Sequence, residues 1–467
     1  MRTLKYEYHS TVMEEIDKSE RYDKVCEVFA LNEQTLNKRP ILNSIELDVG
    51  GIMYITGYSG AGKSTLLRMI QRDLSEEDIE EPKAPEKVDI PIIDLLGKDL
   101  KEAIKLLGWV GLGESYLYLL PYNALSEGQK TRFQLALSLN QKPNVILVDE
   151  FLSNLDRITA KVVAYSFQKT CRKLGISAIV ATAHDDLTEA LAPDTQVTLD
   201  LNGAYQVLKY PLEKAFLNGL HNLEIRQGSL DDYDQLKRFH YFGDVDFAAD
   251  GYDMEIYATH YEDTCIGVSV LVSPYPKDWN VVHYFREVNE RVKSIARLVV
   301  HPSFRGAGLS IPLMRPSLSK LAFIETRSAL GLYMPIYLAA GYRSVEVATN
   351  TVSDRRQMLW DRLWDLGIDP LSFLDKEKGV QSLETIAGKA PDDLLPLALE
   401  VMVEMLVKDY LYFRENIDLQ PLTDQQHQEI REIFMDACDE LPLDYMLYET
   451  AYFRMQGFVV KHYGVQE

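Results

Sequence analysis

One turn of chain, Gly57-Tyr-Ser59-Gly60-Ala-Gly62-Lys63-Ser64, sets more of the architecture than any other segment. It follows the apolar run Ile52 to Ile55 and opens a helix-compatible stretch, Thr65-Leu-Leu-Arg-Met-Ile. A strand, a glycine turn and a helix in that order call for an α/β fold with a largely parallel sheet. The glycines let the backbone curl until successive N–H groups face phosphate oxygens, with the positive end of the next helix behind them. Lys63 is expected to reach the β- and γ-phosphates of a nucleotide. Ser64 is expected to give its hydroxyl oxygen to Mg²⁺, and Thr65 continues the cradle into the helix.

A second run, Val145 to Val148, is continuously apolar and reads as a strand covered on both faces. It ends in Asp149-Glu150, and ligands of open α/β sheets bind at the carboxyl ends of the strands. Asp149 then suits a Mg²⁺ partner, and Glu150 suits a general base that polarises an attacking water. His184 follows another apolar run, Ile176 to Ala183. It can hydrogen-bond a γ-phosphate or serve as a structural histidine.

Together with Leu125-Ser126-Glu-Gly128-Gln129 and Ser153-Asn-Leu-Asp156, these stretches resemble the ATP-binding-cassette (ABC) ATPases over roughly residues 25 to 210. The resemblance makes residues 125–129 the signature sequence, residues 153–156 the dimer-contact loop and His184 the switch histidine. It implies two cassettes packed head to tail, with Ser126, Gly128 and Gln129 of one chain capping the ATP that Lys63 holds in the other. One chain supplies one cassette, so a homodimer through the ABC domains is expected. Phe29 would stack on adenine or lie in the core.

Departures from the family limit the subfamily. No glutamine opens the helical arm between Thr65 and Leu125, and Gln71 belongs to the first helix, which disfavours a transporter motor. The acidic, proline-punctuated residues 75–85 read as an exposed loop. No long heptad insertion and no second phosphate loop occur, so coiled-coil and twin-cassette relatives fit poorly.

Composition supports a chain of several domains, since 467 residues with 46% hydrophobic content can fill about three cores. No apolar stretch of 18 residues and no export core at the N-terminus occur, so a cytoplasmic location without a membrane partner is expected. Cys26, Cys171, Cys265 and Cys438 lack metal-type spacing and read as reduced thiols. A formal charge of −22 argues against broad coating of nucleic acid, although a local docking patch remains compatible with it.

The second half carries another signal. Residues 252–260 and 265–273 read as a hairpin around Glu262-Asp263. Then follows Arg297-Leu-Val299-Val300-His-Pro-Ser-Phe-Arg305-Gly306-Ala-Gly308, a strand and a glycine turn whose N–H groups can hold a pyrophosphate. With Tyr337-Leu-Ala-Ala-Gly341-Tyr342 it resembles the GNAT acyltransferases. The resemblance implies coenzyme A held at Arg305, Gly306 and Gly308, the pantetheine arm along Val299 and Val300, and Tyr337 protonating the departing thiolate. Tyr337 can equally be a core tyrosine. Ser310 replaces the family's third small residue, and Glu325, His301 and Asp253 are conceivable bases or plain exposed groups.

Residues from about 350 onward show helical periodicity, as in 392–407 and 424–438, without a chemical motif. The expected organisation is an α/β P-loop ABC ATPase domain over 1–215, a GNAT-like α+β domain over 216–350 and a helical C-terminal extension over 351–467. The order of domains resembles ATPase-acyltransferase fusions whose second part is similar to Mom-type DNA-base-modifying enzymes. The expected function is an ATP-dependent, Mg²⁺-using dimer coupled to transfer from acetyl-CoA or another acyl-CoA to a nucleic-acid base or other amine. The alternative is a nucleic-acid-processing or regulatory ABC ATPase with a non-catalytic GNAT-like binding domain.

Overall fold

The computed structural model describes residues 2–9, 19–31, 40–74, 79–210, 223–240, 251–315, 323–326, 328, 331, 333–346, 354–389, 392–417, 419–439, 441–455 and 460–463. The expected domain boundaries near 215 and 350 lie outside the described residues. Chain contacts divide the molecule into two units, the first made of residues 1–224, 260–266 and 300–309 and the second of the remainder.

The first unit holds a six-stranded sheet. Its strands are β3 (Ile52–Gly57), β4 (Ile79–Glu80), β5 (Val145–Val148), β6 (Ser177–Ala181), β7 (Thr195–Leu199) and β8 (Tyr205–Lys209), in the order β4-β5-β6-β3-β7-β8. All neighbours are parallel except the closing β7–β8 pair. Strands β1 (Arg2–His9) and β2 (Pro40–Val49) form a separate antiparallel pair. β5 is buried along its whole length because a parallel sheet is covered on both faces, which explains its unbroken apolar run. One face of the sheet, with Met53, Ile55, Leu147 and Ile179, packs against Leu66, Leu67 and Ile70 of a helix spanning Lys63–Asp73. Full burial of each such side chain contributes about 1.5–3 kcal/mol. Gln71 lies in that helix, as expected. Part of the acidic loop differs from expectation: Ile79 and Glu80 pair with Val145 and Ile146 as strand β4, because the apolar edge of β5 offers a ladder to be completed.

The second unit is built on a sheet ordered β13-β12-β11-β10-β9, whose strands are β9 (Arg226–Gln227), β10 (Met254–Tyr261), β11 (Thr264–Val272), β12 (Val292–Val300) and β13 (Phe323–Thr326). β10 and β11 are joined by the expected turn, with Glu262 at φ +53°. β12 and β13 are parallel. Helices Asp354–Asp365, Lys376–Lys389, Leu394–Asn416, Asp424–Asp439 and Leu443–Met455 follow. Their apolar stripes close over an aromatic-rich core in which Phe285 lies 4.9 Å from both Tyr275 and Phe434. Burial pushes the thiols of Cys171 and Cys438 up to about 12, consistent with inert core cysteines. No helix among the described residues is long and apolar enough to cross a membrane.

Candidate nucleotide site and the acyltransferase-like turn

Strands β5, β6 and β3 lie side by side, and their registers pair Val148 with Val180 and Ile55 with Ala181. Their carboxyl ends therefore reach one edge of the sheet at a spacing of about 4.8 Å per strand. That edge gathers the turn after β3, Asp149-Glu150 after β5 and the segment leading to His184 after β6.

The turn adopts the backbone that its glycines allow. Gly57, Gly60 and Gly62 have φ of +141°, +82° and +97°. A Cβ at Gly57 would stand 2.2 Å from the Leu199 carbonyl oxygen, so β7 approaches too closely for any side chain there. Ser59 and Gly60 are exposed, and Gly62 precedes the helix that starts at Lys63 and carries Ser64 and Thr65 in its first turn. Lys63 is 5% exposed, and its ammonium donates to the carbonyls of Gly57 (2.9 Å) and Tyr58 (3.0 Å). The amine is thus folded over the loop that a phosphate would enter.

Opposite it, Asp149 accepts from the Glu150 amide at 3.0 Å, and the Glu150 carboxylate accepts from Ser153 Oγ at 2.9 Å. Both acids are exposed. Glu150 sits at φ +51° and Leu152 at +55°, conformations that cost about 1 kcal/mol or more each outside glycine and that cluster at functional sites. The hard oxygen donors Ser64 and Asp149 fit Mg²⁺, which prefers hydroxyl, carboxylate, phosphate and water oxygens. The His184 carbonyl accepts from the hydroxyls of Tyr54 and Thr56, the latter at 3.1 Å. Burial pushes the Tyr54 phenol well above its usual range, so it remains a donor. Sequence reading missed Tyr54, Thr56 and Thr182, which lies 3.3 Å from Ser153 Oγ. Their only signal was a hydroxyl inside or just after an apolar strand.

Ser126 caps the helix Glu127–Gln141. Its backbone N–H donates to Gln129 Oε1 at 2.9 Å, and the Gln129 amide donates to Ser126 Oγ at 3.4 Å. This reciprocal box fixes an exposed helix start. A Cβ on Gly128 would lie 3.7 Å from Leu155 Cγ and 4.0 Å from the Asn154 carbonyl. The signature and the loop after Glu150 therefore form one surface. Phe29 is 68% exposed.

The glycine turn of the second motif has other partners. In the first unit, Arg305 forms an ion pair with Glu114 at 2.9 Å and donates through Nε to the Val300 carbonyl at 3.0 Å. Gly306 and Gly308 have φ of +96° and +87°, and a Cβ at Gly306 would stand 3.4 Å from Ser166 Oγ. The helix after them, Ser310–Leu313, has only four residues, too short for the dipole that the pyrophosphate reading required. Val299 is buried at the end of β12.

In the second unit, Tyr337 is 5% exposed and packs beside Tyr342 in a cluster with Ile295 and Ile324. Burial pushes its phenol up against the opposing hydrogen bonds of Ser328 and Thr326. Glu325, read as a base or an exposed group, is 3% exposed and accepts from Ser294 Oγ at 3.0 Å. Strand alternation turns it to the face opposite Ile324 and Thr326, and so away from Tyr337. Asp253 bonds Lys293 at 2.8 Å. Burial would raise its carboxyl, and the ammoniums of Lys293 and Lys277 hold it below the usual range. His301 accepts from the Ser303 amide through Nδ1 at 3.3 Å. All three candidate bases have protein partners.

No protein-family model matches the sequence. The chain is similar to the aliphatic sulfonates import ATP-binding protein SsuB 1 of Shouchella clausii, 30% identical over 189 residues, which are 35% of this chain and 72% of that protein. It is similar to the SsuB protein of Pseudomonas entomophila, 31% identical over 217 residues, 41% of this chain and 78% of that one. To the methionine import ATP-binding protein MetN of Xylella fastidiosa it is 29% identical over 200 residues, 34% of this chain and 57% of that protein's length. Among solved structures, an ATP-binding cassette of an ABC transporter in its ADP conformation shares 18% identity over 37% of this chain and 86% of its own, with a TM-score of 0.31. Having more than two thirds of both sulfonate-import proteins in common at 30% identity or above, the chain belongs to the ABC family of ATP-binding proteins.

Proposed function

We propose that the chain hydrolyses ATP as a head-to-tail homodimer, and that its second unit binds a ligand or partner without catalysing a reaction on it. The observation that supports the dimer is the exposed Ser126 turn, whose Gly128 lies against the Asn154-Leu155 loop and so joins the signature to the segment that follows Glu150. On ATP binding, Lys63 exchanges the Gly57 and Tyr58 carbonyls for β- and γ-phosphate oxygens. Ser64 and Asp149 would hold Mg²⁺, which when bound would supply charge to neutralise the phosphates. Glu150 releases Ser153 and takes a proton from the water as its oxygen bonds the γ-phosphorus and the bond to the bridging oxygen breaks, ADP leaving with that oxygen, while His184, held through its carbonyl, turns toward the γ-phosphate. The partner chain's signature turn closes the site.

The transfer of an acyl group from acyl-CoA to a nucleic-acid base or other amine is the competing role for the second unit. The parallel β12–β13 pair and the Tyr337 segment are compatible with it. Against it stand the Glu114 partner of Arg305, the four-residue helix and the engaged bases. Calorimetric titration with coenzyme A separates the two: no heat at millimolar ligand is expected, and micromolar binding with turnover on an amine would restore the transferase. An import motor with a membrane partner is a further reading, favoured by what the relatives are named for. It requires co-purification with a membrane fraction.

The dimer is tested with Glu150→Gln, which should bind ATP, stop turnover and accumulate as a dimer by light scattering. A monomer with full ATPase activity would overturn the shared site.

A further inference from the structure

We propose that residues 300–309 are a positioning element of the ATPase, which sets the signature turn through Glu114, Gly111 and Arg132; the proposal rests on the dimeric ATPase reading above. The chain of contacts is continuous within the first unit. Arg305 pairs with Glu114 at 2.9 Å, with side-chain exposures of 15% and 10%. Tyr116 hydrogen-bonds Glu114, which pushes its phenol up to about 12 and leaves the carboxylate clasped from two sides.

Three positions before Glu114 in the same loop lies Gly111, at φ +76°, where a Cβ would stand 3.0 Å from the Arg305 carbonyl oxygen. Only glycine permits that approach. The Gly111 carbonyl in turn accepts from Arg132 Nη1 at 3.1 Å, and Arg132 Nε donates to the Gly128 carbonyl at 3.2 Å. Arg132 thus ties residue 111 to the glycine of the signature. On the other side, Gly306 rests on Ser166, whose hydroxyl donates to the Trp109 carbonyl at 2.6 Å.

The turn therefore lies between the loop 111–114 and the helix Arg157–Leu174, and its Phe304 is buried. A shift of this turn moves the loop that holds Arg132, and with it the edge that a partner's ATP must meet. The residues that motif reading gave to a pyrophosphate act here on the ATPase.

The test compares Arg305→Ala, Arg305→Lys and Glu114→Gln with the unsubstituted chain. Arg305→Ala should lower ATPase kcat by about ten- to a hundred-fold, the scale of a remote misplacement, with the Kd of a fluorescent ATP analogue changed less than about twofold. Arg305→Lys should recover part of the rate, and Arg305→Ala combined with Glu114→Gln should be no slower than either alone. Amide hydrogen exchange of the nucleotide-free protein should rise at residues 111–114 and 127–132 in Arg305→Ala.

Unchanged exchange at 127–132 would overturn the proposal whether or not the chain hydrolyses ATP. Loss of coenzyme A binding with full ATPase activity in Arg305→Ala would overturn it as well and return the arginine to a pyrophosphate. Absence of ATPase activity from the unsubstituted chain would sink the dimeric ATPase reading, while the exchange result still decides the role of Arg305. Should Arg305→Ala fail to fold, Glu114→Gln carries the same exchange and rate comparisons.

Discussion

The first unit and the second motif each contain a strand that ends in a glycine turn, and the two turns have opposite fates. After β3, the turn leads into an eleven-residue helix, keeps Ser59 and Gly60 exposed, and holds its lysine by two loop carbonyls. After β12, the turn leads into a four-residue helix, and its arginine is paired with a carboxylate that is itself almost covered. Glycine supplies the same backbone freedom in both. What differs is whether the cation is left for a ligand or already has a charged partner, because an ion pair with both members largely desolvated is costly to break from one side.

The comparison is broken most directly at the carboxyl ends of β5 and β3. Replacing Glu150 by Gln should lower ATP turnover by roughly 10²–10⁴-fold, the range for a general base, with ATP binding retained. Steady-state phosphate release checks it, and a rate within tenfold of the original would move the base elsewhere. Lys63→Ala should cost roughly 10²–10³-fold in kcat/KM, as expected for one preorganised cation facing developing phosphate charge. If Lys63→Ala kept most of the activity, the loop would not be the cradle.

Smaller effects sharpen it. Gly57→Ala should destabilise the first unit by about 1–3 kcal/mol in denaturant unfolding, because the new methyl meets the Leu199 carbonyl and the backbone is held at positive φ. The equivalent change at Gly308, where no atom of the described residues beyond its chain neighbours lies within 4 Å of the added carbon, should cost the positive-φ strain alone. Asp156→Ala should cost about 1 kcal/mol, since Asp156 caps the helix Arg157–Leu174 through the Thr159 amide at 2.9 Å. Burial raises the Asp156 carboxyl, and hydrogen bonds from Thr159 outweigh it, leaving the group below its usual range. A lowered folded-state value means that this stabilisation is present above the ordinary carboxylate range and lost as pH falls through it. The difference between the parent chain and Asp156→Ala should therefore shrink below about pH 4. A constant difference would assign the loss to packing instead.

Much of the first unit was legible from particular residues. Val145 to Val148 mark a buried parallel strand to the residue, and the glycine turn from Gly57 to Gly62 leads from a strand into a helix as its sequence requires. The helices over 394–416 and 424–439 follow from apolar spacing at three and four residues. The partnership of Arg305 with Glu114 was not legible, since the two lie 191 positions apart and neither stands in a local pattern that names the other. Nor was the burial of Glu325, because a carboxylate on a short strand reads as exposed until helices from the end of the chain cover that face.

By itself the sequence determined the local chemistry: which turns have glycine freedom, which strands are apolar on both faces, and which carboxylates end them. Those properties depend on neighbours within a few positions, where backbone geometry and periodicity act. The tertiary structure alone decided which charges find partners. Pairing depends on separations of a few ångströms and on burial, which set r and ε for two charges far apart in the chain, and residue identity specifies neither.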